Sequence, residues 1–220
     1  MSAVIKENHM KYGGKRYFKA GGNMITIRTF GSKRTPTGQA NYLEAHNEIP
    51  APKLNGRLTN PTIVEIDTVK TSKGNFLANI SNFMGIFGLS GNAAWSKVSA
   101  GQYKFLHVGI QMGDLKEAYN QSPKSRNEFA DISGKERAVC EVFIVLETSE
   151  AVKVANSANF GLEVSGGVLN LTASGGASGS RTTKVSISPG TVYAYMLAKP
   201  DWKNSKSEIK SFSDDQHGLF

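Results

Sequence analysis

Apolar and polar positions alternate along much of this chain, and the alternation predicts strands more often than helices. Met24 to Phe30 (MITIRTF) alternates and is rich in β-branched residues, which predicts a first strand; Gly31 to Gly38 (GSKRTPTG) then reads as an exposed loop with a Lys-Arg pair. Ser2 to Met10, carrying Val4 and Ile5, predicts a short helix that the glycines at 13, 14, 21 and 22 keep from extending. Tyr42 to Asn47 reads as a helical turn, and Pro50, Pro52 and Pro61 punctuate an extended connection. From Thr62 the pattern is strand-like through TIVEIDTV, NFLANISNFMGIFGLSG and NAAWSKVSAGQYKFLHVGIQM. One stretch is clearly helical: GDLKEAYNQSPKSRNEFAD opens with Asp114 as N-cap, places Leu115, Ala118 and Tyr119 at helical spacing and breaks at Pro123, with a second short helix at Ser125 to Ile132. Arg137 to Thr148 (RAVCEVFIVLET) is the strongest strand, apolar on both faces and therefore central and buried.

Two regions depart from the ordinary pattern. No charge falls between Lys73 and Lys97, and there the alternation condenses into Phe83, Met84, Ile86, Phe87 and Leu89, interleaved with Gly85, Gly88 and Gly91. That run is apolar enough to lie against a membrane and too short and glycine-rich to cross one as a helix; a buried strand pair or core loop explains it equally well. From Ala155 to Val192 only Glu163, Arg181 and Lys184 are charged. Phe160, Leu162 and Val164 share one strand face, as do Leu169, Leu171 and Ala173, and then Val185 and Ile187, and SGGASGSR reads as a flexible join. The opposite face carries small neutral groups, which suits a membrane β-barrel and equally a hairpin covering a sandwich core. KVSISPGTVYAYMLAK then returns the chain to the sheet, with Pro189-Gly190 as a hinge and Tyr193 and Tyr195 on one face as packing anchors.

No composition shift divides the chain, so residues 1–198 read as one domain and 199–220 as a short polar tail. In that tail Trp202, Ile209, Phe212 and Phe220 are the sizeable apolar groups, so it is either loosely ordered or laid against the body. The formal charge is +8, and residues 1 to 34 hold eight basic side chains against the single acid Glu7. Such a concentration attracts phosphate-bearing partners, or else serves as a solvated arm. Single Cys140 cannot form an intramolecular disulfide, and with no secretory signal or apolar run of about 18 residues the expected home is the cytoplasm.

Catalytic constellations are not evident. His9, His46, His107 and His217 lack metal-ligand spacing, GGKRYFKAGG lacks the phosphate-loop spacing, Cys140 sits in an apolar strand, and Asp114 with Glu117 fits helix capping. The expectation is a protein that is not an enzyme and takes no metal or cofactor.

The segment order resembles a known family. GDLKEAY, then SGKERAVCEVFIVLETSEAVKV, the low-charge hairpin and ISPGTVYAYML resemble the second half of a gasdermin pore-forming domain. Val139, Cys140, Val142, Ile144, Val145 and Glu147 match that family's central strand; Ile187, Pro189, Gly190, Thr191, Val192, Ala194 and Tyr195 match its closing strand. The similarity runs from Phe105 to Leu197, and PGTVYAY is its most specific part. The resemblance implies an α+β fold with a twisted, mostly antiparallel β-sheet and flanking short helices. It further implies a cytoplasmic protein that moves to membranes on activation, binds acidic lipids, forms a homo-oligomer and opens a large pore, causing cell death. Lipid contact would fall to Lys6, Lys11, Lys15, Arg16, Lys19, Lys33 and Arg34. Regions of about Ile63 to Val108 and Ala155 to Ile187 would rearrange, inserting Phe83, Met84, Ile86, Phe87, Leu89, Phe160, Leu162, Val164, Leu169 and Leu171. The chain lacks the N-terminal cysteine of many bacterial members and the large inhibitory domain of mammalian ones. The tail from Lys199 would be the inhibitor, or a protease or partner protein would control activation, or the chain is already the active fragment. Two other readings stay open: a basic nucleic-acid-binding domain that stacks bases on Tyr12, Tyr17 and Phe18, and an assembly protein using the hairpin as an intersubunit arm.

Overall fold

The computed structural model describes residues 1–78, 91–157, 159–165, 168–174, 183–186 and 191–218. The chain begins with three short strands, β1 (Ser2–Ile5), β2 (His9–Tyr12) and β3 (Lys15–Phe18). The expected N-terminal helix is therefore replaced by strands, and the glycines that oppose a helix explain why. Tyr12 pairs with Lys15, leaving Gly13 and Gly14 as a two-residue turn with φ of +56° and +81°. Two successive positive φ values suit a tight hairpin turn whose twist matches its strands, and glycine adopts them without strain.

Next come β4 (Thr29–Arg34) and β5 (Tyr42–Glu48). Only the end of MITIRTF is strand, whereas Gly31 to Arg34, expected in a loop, and Tyr42 to Asn47, expected in a helical turn, are paired with each other. Long-range pairing of β4 with the central strand overrides these local preferences. The strands approach so closely that a Cβ at Gly31 would lie 1.9 Å from the Glu44 carbonyl oxygen.

Strand β6 (Thr62–Ile66) follows as expected, but Asn75 to Leu77 and NAAWSKVS are helical. They contribute α1 (Lys73–Leu77), whose N-cap Ser72 accepts from the Asn75 amide at 3.1 Å, and α2 (Gly91–Ser99). Phe83, Met84, Ile86, Phe87 and Leu89 lie outside the described residues. Beyond β7 (Tyr103–Gly109), both expected helices are present as α3 (Met112–Asn120) and α4 (Pro123–Ala130). Gln111, not Asp114, occupies the N-cap of α3; Asp114 sits in the first turn, where its charge favours the helix dipole. Strand β8 (Glu136–Glu147) is the buried central strand, and an unexpected helix α5 (Thr148–Ala155) follows it. The low-charge region forms β9 (Asn159–Ser165), β10 (Val168–Ser174) and β11 (Thr183–Ser186). The tail belongs to two strands, β12 (Val192–Trp202) and β13 (Ile209–Asp215).

The fold is α+β with a mostly antiparallel sheet; β1 with β6 is a parallel pair. Ten strands are joined in the order β13-β12-β3-β2-β1-β6-β7-β8-β4-β5, and a further pairing of β12 with β8 closes the seven from β12 to β8 into a barrel. Contacts across the ring identify the lumen. Tyr12 of β2 and Tyr17 of β3 both meet Phe143 of β8, with ring centroids 5.4 and 4.8 Å apart, although β2 and β8 are not neighbours. Phe105 and His107 of β7 close on the same ring at 6.0 and 4.4 Å. Removing a phenylalanine side chain such as Phe143 from water contributes roughly 1.5–3 kcal/mol. A second core of Phe30, Tyr119, Phe129, Phe212 and Trp202 packs outside the barrel, where α3 and α4 cover β13 and β4.

A bulge between Val192 and Ala194 separates the two tyrosines that strict alternation placed on one face. Tyr193 packs on Phe105 and Phe76, whereas Tyr195 stacks on Phe18 of the paired strand β3. Both are anchors, as expected. The Tyr193 hydroxyl donates to the Phe76 carbonyl at 3.2 Å, while that of Tyr195 donates to the Ala20 carbonyl at 2.7 Å and accepts from the Leu43 amide at 2.9 Å. Burial pushes both phenols well above their ordinary range, so they are neutral donors.

Candidate functional site

The seven cations grouped by the sequence do not form a flexible arm; Lys11, Lys15, Arg16, Lys33 and Arg34 lie in β2, β3 and β4, Lys6 and Lys19 follow directly on β1 and β3, and the strands sort them. Lys19 is buried inside the barrel end and donates to the carbonyls of Lys6, Glu7 and Asn75 at 2.7, 3.1 and 3.0 Å. Burial pushes its ammonium down to about 8, against the attraction of Glu7, and the three carbonyls favour the charged form. With Tyr193, Lys19 fastens the last turn of α1. Lys33 is buried and paired with Asp215 at 2.6 Å, Lys15 binds Asp214 at 2.7 Å and Glu141 at 3.2 Å, and Arg34 pairs with Glu44. Lys6, Lys11 and Arg16 are exposed. Lys11 and Arg16 stand directly opposite each other on β2 and β3, a like-charge cross-strand pair of the kind that costs stability unless an anion sits over it.

The second predicted region forms its own three-stranded antiparallel sheet, β11-β10-β9, which shares no ladder with the barrel among the described residues. Leu162, Leu169, Leu171, Ala173 and Val185 turn into the core, Phe160 is partly covered and Val164 is half exposed. On the other face Asn170 and Thr172 accompany one ion pair, Glu163 with Lys184 at 2.9 Å, so the charges there cancel. The sheet packs on the short 3-10 turn Ala51–Lys53 and on α5. At its edge the Asn55 side chain accepts from the Leu162 amide at 2.6 Å, occupying a donor that an unpaired edge strand leaves open.

A third group went unnoticed in the sequence. The Glu141 carboxylate accepts from the Tyr17 hydroxyl at 2.8 Å, lies 2.8 Å from His107 Nε2 and 3.2 Å from Lys15 Nζ. Four strands, β3, β7, β8 and, through Asp214, β13, meet at this mouth of the barrel. Burial works against the charged carboxylate, but hydrogen bonds from His107 and Tyr17 and the attraction of His107 and Lys15 outweigh it and hold the group down to about 2. Tyr17 is driven well above its ordinary range by burial and by that carboxylate. The signal was available: Glu141 is the single charge inside the apolar run from Ala138 to Leu146.

Among the described residues the one thiol is no activated nucleophile. Cys140 is fully buried, its thiol pushed well up by burial and by the Glu141 charge, and its sulfur lies 3.5 Å from the Met196 carbonyl oxygen. Among the described residues no three His, Cys, Asp or Glu side chains converge as a metal site, and no helix is long and apolar enough to cross a membrane. No family model, no curated protein and no solved structure matches this chain.

Proposed function

We propose that the chain is a gasdermin-like membrane-permeabilising protein that docks on acidic lipid through Lys6, Lys11 and Arg16 and acts by transferring its β9–β11 sheet from the body of the protein into the bilayer. The observation that carries this reading is the construction of that sheet: hydrogen-bonded within itself, apolar on the core side, and charge-neutral on the other. Exchanging the Ala51–Lys53 turn and α5 for acyl chains keeps Leu162, Leu169 and Leu171 out of water, so their transfer has little hydrophobic cost. The backbone edges are the obstacle, because an open edge in hydrocarbon costs several kcal/mol per unpaired group. Copies of the chain pairing edge to edge remove that cost, which makes assembly and insertion a single process. The nucleic-acid alternative relied on aromatics among the cations, and in this fold Tyr17 and Phe18 are buried.

The test is release of an encapsulated dye from vesicles with and without acidic lipid. The intact chain, alone and after proteolytic removal of the tail near Lys199, is compared with a Lys6→Glu/Lys11→Glu/Arg16→Glu variant. Leakage that needs acidic lipid and disappears in the variant supports the proposal. Absence of leakage in every condition overturns it, as does salt-dependent binding to single-stranded nucleic acid, or ordered self-assembly, without any vesicle association.

A further inference from the structure

We infer that the stacked imidazoles of His9 and His217 form an acid-sensitive clasp that holds residues 216–218 on strand β3 at neutral pH and releases them on protonation. After β13 the chain turns back across the barrel wall. The Gln216 side chain accepts from the Arg16 amide at 3.1 Å, and the His217 amide donates to the Arg16 carbonyl at 3.1 Å. The His217 ring is then laid on His9, centroids 5.4 Å apart and planes 15° from parallel, and packs edge-on against Phe18 at 5.3 Å. Both Nε2 atoms are buried without a hydrogen-bond partner in this arrangement. Neither can take up a proton and remain solvated there.

The charges around the pair oppose protonation from several elements. Lys11 acts from β2, Arg16 from β3, Lys19 from just beyond β3 and Lys33 from β4. The nearby acids are committed elsewhere: Asp215 to Lys33 and Arg137, Asp214 to Lys15, while Glu7 is exposed on the β1–β2 turn. Burial first, then the neighbouring ring and cations, hold His9 down to about 4, and burial with Lys33 and Arg16 holds His217 below its ordinary value. A depressed histidine contributes stability that is complete above its unfolded value of 6.5 and is lost as pH falls toward the folded one. Release of the terminal segment, which frees His217 into water, is the way the molecule yields to that stress. Opening also removes Gln216 from the Arg16 amide, so the outer edge of β3 loses its cover at the place where Arg16 sits.

Hydrogen exchange of the full chain, read by mass spectrometry without lipid at about pH 7.5 and pH 5 and corrected for intrinsic rates, tests the clasp. Peptides covering residues 9–18 and 212–218 should lose about tenfold or more in protection at the lower pH, the equivalent of one pKa unit, while β7 and β8 keep theirs. His217→Phe and His9→Phe, which keep a ring in the stack and cannot titrate, should abolish the change. Should those variants fail to fold, NMR titration of the wild-type imidazoles decides. Two rings titrating near 6.5 with unchanged exchange overturn the inference, and so does a pH response that persists in folded phenylalanine variants. Because no lipid is present, failure here is distinguishable from failure of the permeabilising function.

Discussion

Glu141→Gln is the substitution whose effect follows most directly from the barrel mouth. Glutamine keeps the volume and leaves an acceptor for the Tyr17 hydroxyl, but it removes the charge that faces Lys15 and His107. In the folded chain the Glu141 carboxyl sits at about 2 against an ordinary 4.5, and its side chain is 16% exposed, so solvent screening is slight. At about 1.36 kcal/mol per unit, the difference corresponds to roughly 3 kcal/mol of stability. The sign is that of a depressed acid. The contribution is complete above about pH 4.5, where the unfolded carboxyl is ionised too, and it is lost as pH falls toward 2, where the folded one finally protonates. Urea unfolding followed by the fluorescence of Trp95 and Trp202 should therefore find the variant weaker by roughly 3 kcal/mol near pH 7, with the gap closing between about pH 4.5 and 2. Any acid opening of the His9–His217 clasp occurs in both proteins and cancels in the difference. A variant within about 0.5 kcal/mol of wild type at neutral pH would refute the reasoning, as would a gap independent of pH.

Other substitutions probe different parts of the fold. Gly31→Ala drives a methyl into the Glu44 carbonyl across β4 and β5 and should cost about 3 kcal/mol, measured by thermal unfolding; a neutral result would mean that the two strands can separate locally. Lys19→Met leaves the carbonyls of Lys6, Glu7 and Asn75 without their donor and should cost about 2–3 kcal/mol, with faster amide exchange in residues 73–78 as the local signature. Tyr195→Phe strands the Leu43 amide and the Ala20 carbonyl, and a loss of about 1–3 kcal/mol in urea unfolding is expected.

What the sequence made legible was whatever is decided locally. Strand β8 is apolar from Ala138 to Leu146 except at Glu141, and α3 has Leu115, Ala118 and Tyr119 at helical spacing before the break at Pro123, so both were readable. The faces of β9, β10 and β11 followed from period-two alternation for the same reason. The first third resisted because β1, β2 and β3 are four residues each, too short for a period to declare itself. There Lys15 and Lys19 occupy lumen-facing positions that binary patterning reserves for apolar groups. They are tolerated because Glu141, Asp214 and three carbonyls await them from parts of the chain as distant as β13. Of the cations proposed for lipid, the exposed ones are separable from the internal ones only by knowing which strand edge or face each occupies. Closure of the barrel was likewise invisible, since it depends on Tyr195 finding Phe18 and on β12 finding β8.

That closing strand also fixes when the molecule can come into being. β12 supplies the ring's last member, pairing at once with β3 near the start of the chain and with β8, and β13 then pairs with its outer edge. Until roughly residue 200 has left the ribosome, β3 and β8 each present an unpaired edge, and the pairing that covers both spans most of the chain length. Synthesis at about 5–20 residues per second leaves those edges bare for many seconds. The nascent chain must therefore be kept from its neighbours until its own closing strand arrives.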